Sequence, residues 1–372
     1  MTMAQFLKSL IKVSVKAANI ARVCREEKHL FQLLVQEKHE GDKNPRFFQD
    51  FKTLADVLIQ ETIKHDIGIE FPNIASHIKG EESNSFSNVL GESITVAIQE
   101  NEADTAALLT QVLNGDTRAG GLLAAEVHKA VLVDYQSLNV DRIPDDLTLP
   151  VDNFGIWIDP IDSTFEYISG SEEPSVVRNI HSKGLQCVTV LIGVFNRQTG
   201  EPVVGVVNQP FITKKGSEWF GKCYWGINYE DKHYFSDEFE DTVEQQKVVV
   251  LSSSESSDLK ERLTERGYLV VEAAGAGYKC LVVALGQADA YLLSRGTTYR
   301  WDICGPHALL LAQNGGIIRF VPAEQGSIQE ISYLETDDDK SEGINQWCNK
   351  DGVIAYRNAQ FLGEIVHLLK KS

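Results

Sequence analysis

Gly155-Ile-Trp-Ile-Asp-Pro-Ile-Asp-Ser-Thr164 sets apolar residues ahead of two acids three positions apart, with a proline between them and two hydroxyls behind. The apolar run reads as a buried strand ending at Ile158, which delivers Asp159 to a sheet edge. Pro160 then fixes the backbone so that Asp162 swings back beside Asp159. Both carboxylates and the Ile161 carbonyl can face one point, and such hard oxygen ligands suit Mg2+ rather than zinc or copper. Ser163 and Thr164 stand where a helix can start, and the N–H groups of a first turn attract phosphate. Taken alone, D-P-x-D is more often a polar turn closing a strand. The rest of the chain decides between these two.

The 372 residues, 43% hydrophobic and 9% aromatic, can bury a large core in one two-part domain or two medium ones. Fifty-three acids against 35 basic residues leave a formal charge of -18, which argues against nucleic acid and anionic membrane as partners. An anionic ligand therefore needs a local source of positive charge. The six cysteines, at 24, 187, 223, 280, 304 and 348, lack C-x-x-C spacing. That pattern gives neither a zinc knuckle nor a disulfide framework and fits a reducing, cytoplasmic setting. No apolar run approaches the ~20 residues that span a bilayer, so a soluble protein is expected. Residues 1–25 lack acids and look amphipathic, as transit peptides do, but are poor in early Arg and Ser. An ordinary surface helix is the expectation there.

Helical spacing of Phe6, Leu7, Leu10, Ile11, Ile20 and Val23, and of Phe51, Leu54, Leu58 and Ile59, predicts that the chain opens with helices. Segments 156–158, 187–195, 203–208 and 219–225 read as strands of a meander over a helical layer. Strands near 247–251, 268–273, 288–293, 315–320 and 352–356 then alternate with helices near 257–266, 277–286, 303–313 and 358–370, an α/β pattern. The polar, acidic run 228–246 marks a boundary between an N-terminal α+β half, 1–245, and a C-terminal α/β half, 246–372. Residues 169–184 and 322–346 read as surface loops, with Asp337-Asp-Asp-Lys340 as a solvated charge run.

Other acids share the character of the opening stretch. Lys79-Gly-Glu-Glu-Ser83 places Glu81 and Glu82 after a glycine turn, Lys52-Thr-Leu-Ala-Asp56 sets an acid on a helix face, and Trp301-Asp302 opens a helix-like run. Singly, Asp302 reads as an N-cap and Asp56 as a solvated charge. Their joint occurrence carries the weight. With KAANIAR, FKTLADVL, GEESN, WIDPIDST, GLQCVTVLIGV, GVVNQPF, CYWG, AAGAGYK, WD-x-C and INQW-x-N-K-x-G-x-IAYR, they make the chain resemble the lithium-sensitive, magnesium-dependent phosphatase superfamily. That superfamily includes inositol monophosphatase, fructose bisphosphatase and bisphosphate nucleotidase, and serine in D-P-I-D-S-T favours its inositol polyphosphate branch.

The resemblance implies an αβαβα layered fold. It also implies a phosphomonoesterase that removes the 1-phosphate of inositol 1,4-bisphosphate and inositol 1,3,4-trisphosphate. It makes Glu81, Asp159 and the Ile161 carbonyl ligands of one Mg2+, with Asp159 bridging to a second ion held by Asp162 and Asp302. Asp56 and Glu82 help hold a third. It has Thr164, with Glu81, orient the attacking water, while Ser163 and Thr164 contact the phosphate. Ser254, Gly275, Ala276, Lys279 and Asp302 would meet the substrate. Li+ inhibition and a monomeric, cytoplasmic enzyme are further expectations. Six converging carboxylates would repel one another without cations, which agrees with a metal site. AAGAGYK, taken alone, is a glycine-rich helix entry matching neither the P-loop nor the dinucleotide fingerprint. Where relatives of the polyphosphate branch tend to carry a basic residue for the distal phosphate, this chain has Ser256, for which Lys260 or Lys279 would have to compensate. A nucleotidase for adenosine 3',5'-bisphosphate is the alternative enzyme. A covalent aspartyl phosphatase is set aside because its acids are spaced D-x-D, and a silent binding module because every expected acid is present.

Overall fold

The computed structural model describes residues 1–26, 35–37, 51–87, 92–237, 246–334 and 343–370. The charge run 337–340 and part of the expected boundary, residues 238–245, lie outside them.

The opening stretch forms the strand Phe154–Asp162, buried along its whole length because both faces of its sheet are covered. Its side chains alternate between two cores. Ile156 and Ile158 join the core packed against the N-terminal helices, and Trp157 joins the core between the two main sheets. The six-stranded sheet runs in the order Lys232–Phe235, Glu218–Tyr229, Pro202–Lys215, Thr189–Asn196, Phe154–Asp162, Ile78–Gly80. The strands Glu218–Tyr229, Pro202–Lys215, Thr189–Asn196 and Phe154–Asp162 form the predicted antiparallel meander. Lys232–Phe235, inside the run read as a boundary, adds an unpredicted strand at one edge, and Ile78–Gly80 runs parallel to Phe154–Asp162 at the other.

The five-stranded sheet has the order Leu269–Glu272, Val248–Leu251, Ala290–Leu293, Val353–Tyr356, Gly316–Arg319. Val248 and Val250 face the inter-sheet core, while Val249 and Leu251 face an outer core with Leu259, Leu263, Phe361 and Ile365 of two flanking helices. Helices Ala276–Ala284 and Arg300–Leu311 fill the space between the sheets, and Met3–Glu26 with Leu54–Glu70 covers the far face of the larger sheet. The result is the expected αβαβα sandwich. The N-terminal helix is mostly interior, and even Lys16 is buried and paired with Asp66 at 2.6 Å. Two segments expected to be plain loops carry structure: Ser175–Val177 pairs with Ile180–His181, and Phe320–Glu324 is a short helix.

Three glycines lie side by side across the meander, Gly193 opposite Gly205 and Gly205 opposite Gly226. Helix Arg300–Leu311 rests in the furrow they leave. A Cβ on Gly193 would come 2.4 Å from Gly305 N, and one on Gly205 would come 2.0 Å from Gly305 O. Backbone thus packs directly on backbone, with Asp302 one turn before the point of closest approach.

Candidate active site

Glu81 and Asp159 leave adjacent parallel strands together. Gly80 pairs with Ile158, and Glu81 N–H donates to the Ile158 carbonyl at 3.1 Å. Beyond Asp159 the pairing with the next strand slips and resumes at Asp162 opposite Thr189, so a bulge at Pro160–Ile161 turns the chain as the proline predicts. The Ile161 N–H donates back to Asp159 Oδ1 at 3.1 Å. Ser163 follows in the left-handed region, with φ 74° and ψ 49°, and opens a helix of only six residues, Thr164–Ser169. Thr164 Oγ1 donates to the Ile161 carbonyl at 3.1 Å and reaches Asp56 Oδ1 at 3.5 Å.

Asp56 and Asp302 are presented by the same local device. Each sits at the third position of a helix and accepts the N–H of the capping residue, Thr53 to Asp56 at 2.7 Å and Tyr299 to Asp302 at 2.8 Å. Asp302 thus serves the cap, as it reads singly, but from the third helical position rather than as the N-cap itself. Asp56, which reads singly as a solvated charge, is buried in the same role, whereas Asp302 is half-buried, and both acids act on Asp159. Glu81, Asp159, Ile161, Asp162, Ser163, Thr164, Gly275, Ala276, Lys279 and Asp302 line one cavity of about 420 Å3.

Burial, then the charges of Glu81, Asp162, Asp302 and Asp56, push the Asp159 carboxyl well above its usual range. Asp302 rises for the same reasons, burial first and then Glu81 and Asp162, partly offset by hydrogen bonds from Tyr299 and with Asp159. Carboxyls crowded and desolvated in this way hold a proton that a cation would displace. Among the described residues no three His, Cys, Asp or Glu side chains form a ready-made shell for an ion. The acids are instead held by one another and by N–H groups. The donor set, carboxylates with one backbone carbonyl in a buried pocket, fits a hard divalent cation.

The glycine-rich AAGAGYK stretch serves an acid first. Asp162 Oδ1 accepts the Ala276 N–H and Oδ2 the Tyr278 N–H, both at 3.2 Å, with Thr189 Oγ1 also 3.2 Å from Oδ2. Gly275, at φ +73°, and Gly277 are required there, because a Cβ on either would lie 2.8 or 3.0 Å from Asp162 Oδ2. Burial raises the Asp162 carboxyl, countered by Lys279 and these three donors. Lys279 is buried too, its ammonium depressed by desolvation and donating to the Ala273 carbonyl at 2.9 Å.

Ser254 is exposed and absent from the cavity wall, which Ser252, Thr297, Thr298 and Tyr299 supply instead. Ser256 caps helix Ser257–Glu265, accepting the Leu259 N–H at 3.3 Å. Lys260 is tied to Glu272 and the Ser253 carbonyl, which leaves Lys279 as the lysine on the cavity wall. Buried Glu255, which no local pattern marks, joins two strand-end loops by accepting from Ser294 N–H, Ser294 Oγ and Ser256 N–H.

Residues 58–358 match the sequence profile of the inositol monophosphatase family. The chain belongs to that family. It is 42% identical over 387 aligned residues to the inositol polyphosphate 1-phosphatase of Bos taurus, covering 97% of this chain and 96% of the relative. Its fold is similar to that of extragenic suppressor protein suhB from Bartonella henselae, with a TM-score of 0.56 at 14% identity over 99% of each chain. It is also similar in fold to an IMPase/NADP phosphatase complexed with Mg2+ and phosphate, TM-score 0.55 at 13% identity, over 100% of this chain and 97% of the other. The layered α/β architecture of this inositol monophosphatase family member is therefore that of its relatives.

Proposed function

We propose that this family member is an Mg2+-dependent phosphomonoesterase that removes the 1-phosphate of inositol 1,4-bisphosphate and inositol 1,3,4-trisphosphate. The observation that carries the reading is the placement of Glu81, Asp159, Asp162 and Asp302 on one cavity wall with Thr164 and Lys279. Near-complete coverage at 42% identity to an inositol polyphosphate 1-phosphatase supports the substrate class.

In this reading Glu81, Asp159 and the Ile161 carbonyl would hold one Mg2+, and Asp159, Asp162 and Asp302 would hold a second. Asp56 and Glu82 serve a third. Bound Mg2+ would supply positive charge to the phosphate and leaving oxygen and lower the pKa of water. Thr164, held between the Ile161 carbonyl and Asp56, works with Glu81 to orient the attacking water. Ser163 meets the scissile phosphate, and Lys279 with Gly275, Ala276, Ser252, Thr297 and Thr298 forms the wall against the ring. Residues 1–245 supply five of these six acids and residues 246–372 complete the pocket with Asp302 and Lys279. The enzyme works as a cytoplasmic monomer on a small molecule, and Li+ inhibits it.

The deciding experiment compares Mg2+-dependent phosphate release from inositol 1,4-bisphosphate, inositol 1-phosphate and adenosine 3',5'-bisphosphate, with Asp159→Asn as control. The bisphosphorylated inositol should turn over fastest. Preference for the nucleotide would move the chain to the nucleotidase reading, and full turnover by the control would reject the metal assignment. A millimolar lithium titration without inhibition would remove the lithium claim alone.

A further inference from the structure

Between the helix that carries Asp56 and the loop that carries Glu81 and Glu82 lies a side chain with no part in the chemistry above. Gln60 is fully buried one turn along from Asp56. It accepts the Glu82 N–H at Oε1, 2.9 Å, and donates from Nε2 to the Glu82 carbonyl, 2.6 Å. One amide paired with both backbone groups of one residue acts as an added sheet rung, and it fixes the loop in rotation as well as position. Gly80 passes so close that a Cβ there would lie 2.0 Å from Gln60 Oε1, and the amide, held through both polar atoms, has no room to retreat. The glycine of GEES is thus explained by a glutamine twenty residues upstream. A second tie reaches the same loop from the start of the helix: buried Lys52 donates Nζ to Ser83 Oγ at 3.0 Å and to the Ser85 carbonyl at 2.7 Å.

We infer that Gln60 is a positioning residue that sets divalent-cation affinity by locking the Glu81–Glu82 loop to the Asp56 helix. This rests on the phosphatase reading of the site. Without the amide, the Glu82 N–H and carbonyl lose the two hydrogen bonds that hold them in a buried place, and the loop shifts toward water to recover them. Glu81 and Glu82 then have to be re-ordered each time an ion binds, and that ordering cost is taken from affinity.

The test titrates Mg2+ into wild type, Gln60→Leu and Gly80→Ala, read by the thermal unfolding midpoint with metal alone and by phosphate release. Gln60→Leu should need ~10–100-fold more Mg2+ in both readouts, the scale of outer-shell partners, with KM for substrate at saturating Mg2+ unchanged. Gly80→Ala pushes on the amide from the loop side, should shift the titration the same way, and decides the question if Gln60→Leu does not fold. A lower unfolding midpoint in chelator with Mg2+ titrations at wild-type concentrations means that Gln60 is merely structural, which overturns the inference while leaving the phosphatase reading intact. A wild type that ignores Mg2+ in both readouts overturns that reading and this inference together.

Discussion

Asp159 carries opposing duties, because the neighbours that make it a strong cation ligand also make it costly to bury when no cation is there. Asp159→Asn should therefore act in two directions. Mg2+-dependent turnover should fall by more than the ~10–100-fold typical of outer-shell losses. The unfolding temperature in chelator should rise, because repulsion with Glu81, Asp162, Asp302 and Asp56 is relieved. Calorimetry in EDTA and in Mg2+ checks both, and a mutant that melts lower in EDTA would contradict the electrostatic account. Ser163 makes a different local compromise. A non-glycine residue at φ 74° carries about 1–2 kcal/mol of strain. Ser163→Gly relieves it but adds freedom to the unfolded chain, so a net gain of up to about 1 kcal/mol in denaturant unfolding is expected.

At the level of elements, the glycine furrow makes its own forecast. Gly205→Ala forces a methyl into the Gly305 backbone and should cost about 1–3 kcal/mol, with weakened Mg2+ response because Asp302 rides on the displaced helix. Gly363 is the contrasting position. It lies exposed in helix Ala359–Leu369 with nothing within 4 Å of an added Cβ, so Gly363→Ala should stabilise by about 1 kcal/mol through helix propensity. Denaturant melts of the two variants should move in opposite directions. These contrasts also mark where sequence reading reaches its limit. Asp159 and Asp162 were legible because strand, proline and acids are contiguous. The order of helices, meander and α/β alternation was legible from hydrophobic period, whereas the five-layer stacking was implied by the family resemblance. Gln60, Glu255 and the furrow were not, because the partners that give them meaning lie 22, 39 and about a hundred residues away. AAGAGYK was legible as a helix entry, yet the group at that entry is the chain's own Asp162, 114 residues upstream of Ala276.

For the whole molecule, acid tolerance should be limited by an imidazole far from any surface. Burial drives the His307 pKa down to about 3, and its ring meets the Tyr333 hydroxyl at 3.2 Å. At pH 7 it is neutral whether the chain is folded or not. Below about pH 6.5 the unfolded imidazole takes up a proton that the buried ring refuses, so stability is lost on acidification, by up to about 1.4 kcal/mol per pH unit until pH about 3. Denaturant unfolding at pH 7 and pH 5 should show the loss, and His307→Gln should flatten it. A mutant with the wild-type acid slope would assign the loss to other groups.

Asp162 belongs to the first sheet, yet two of its hydrogen-bond donors belong to a helix packed under the second. Neither half can be swapped for a distant cousin's unless the newcomer brings the same small-residue turn at the same place. Recombination across the seam is thereby penalised, and the two halves are bound to evolve as one inheritance.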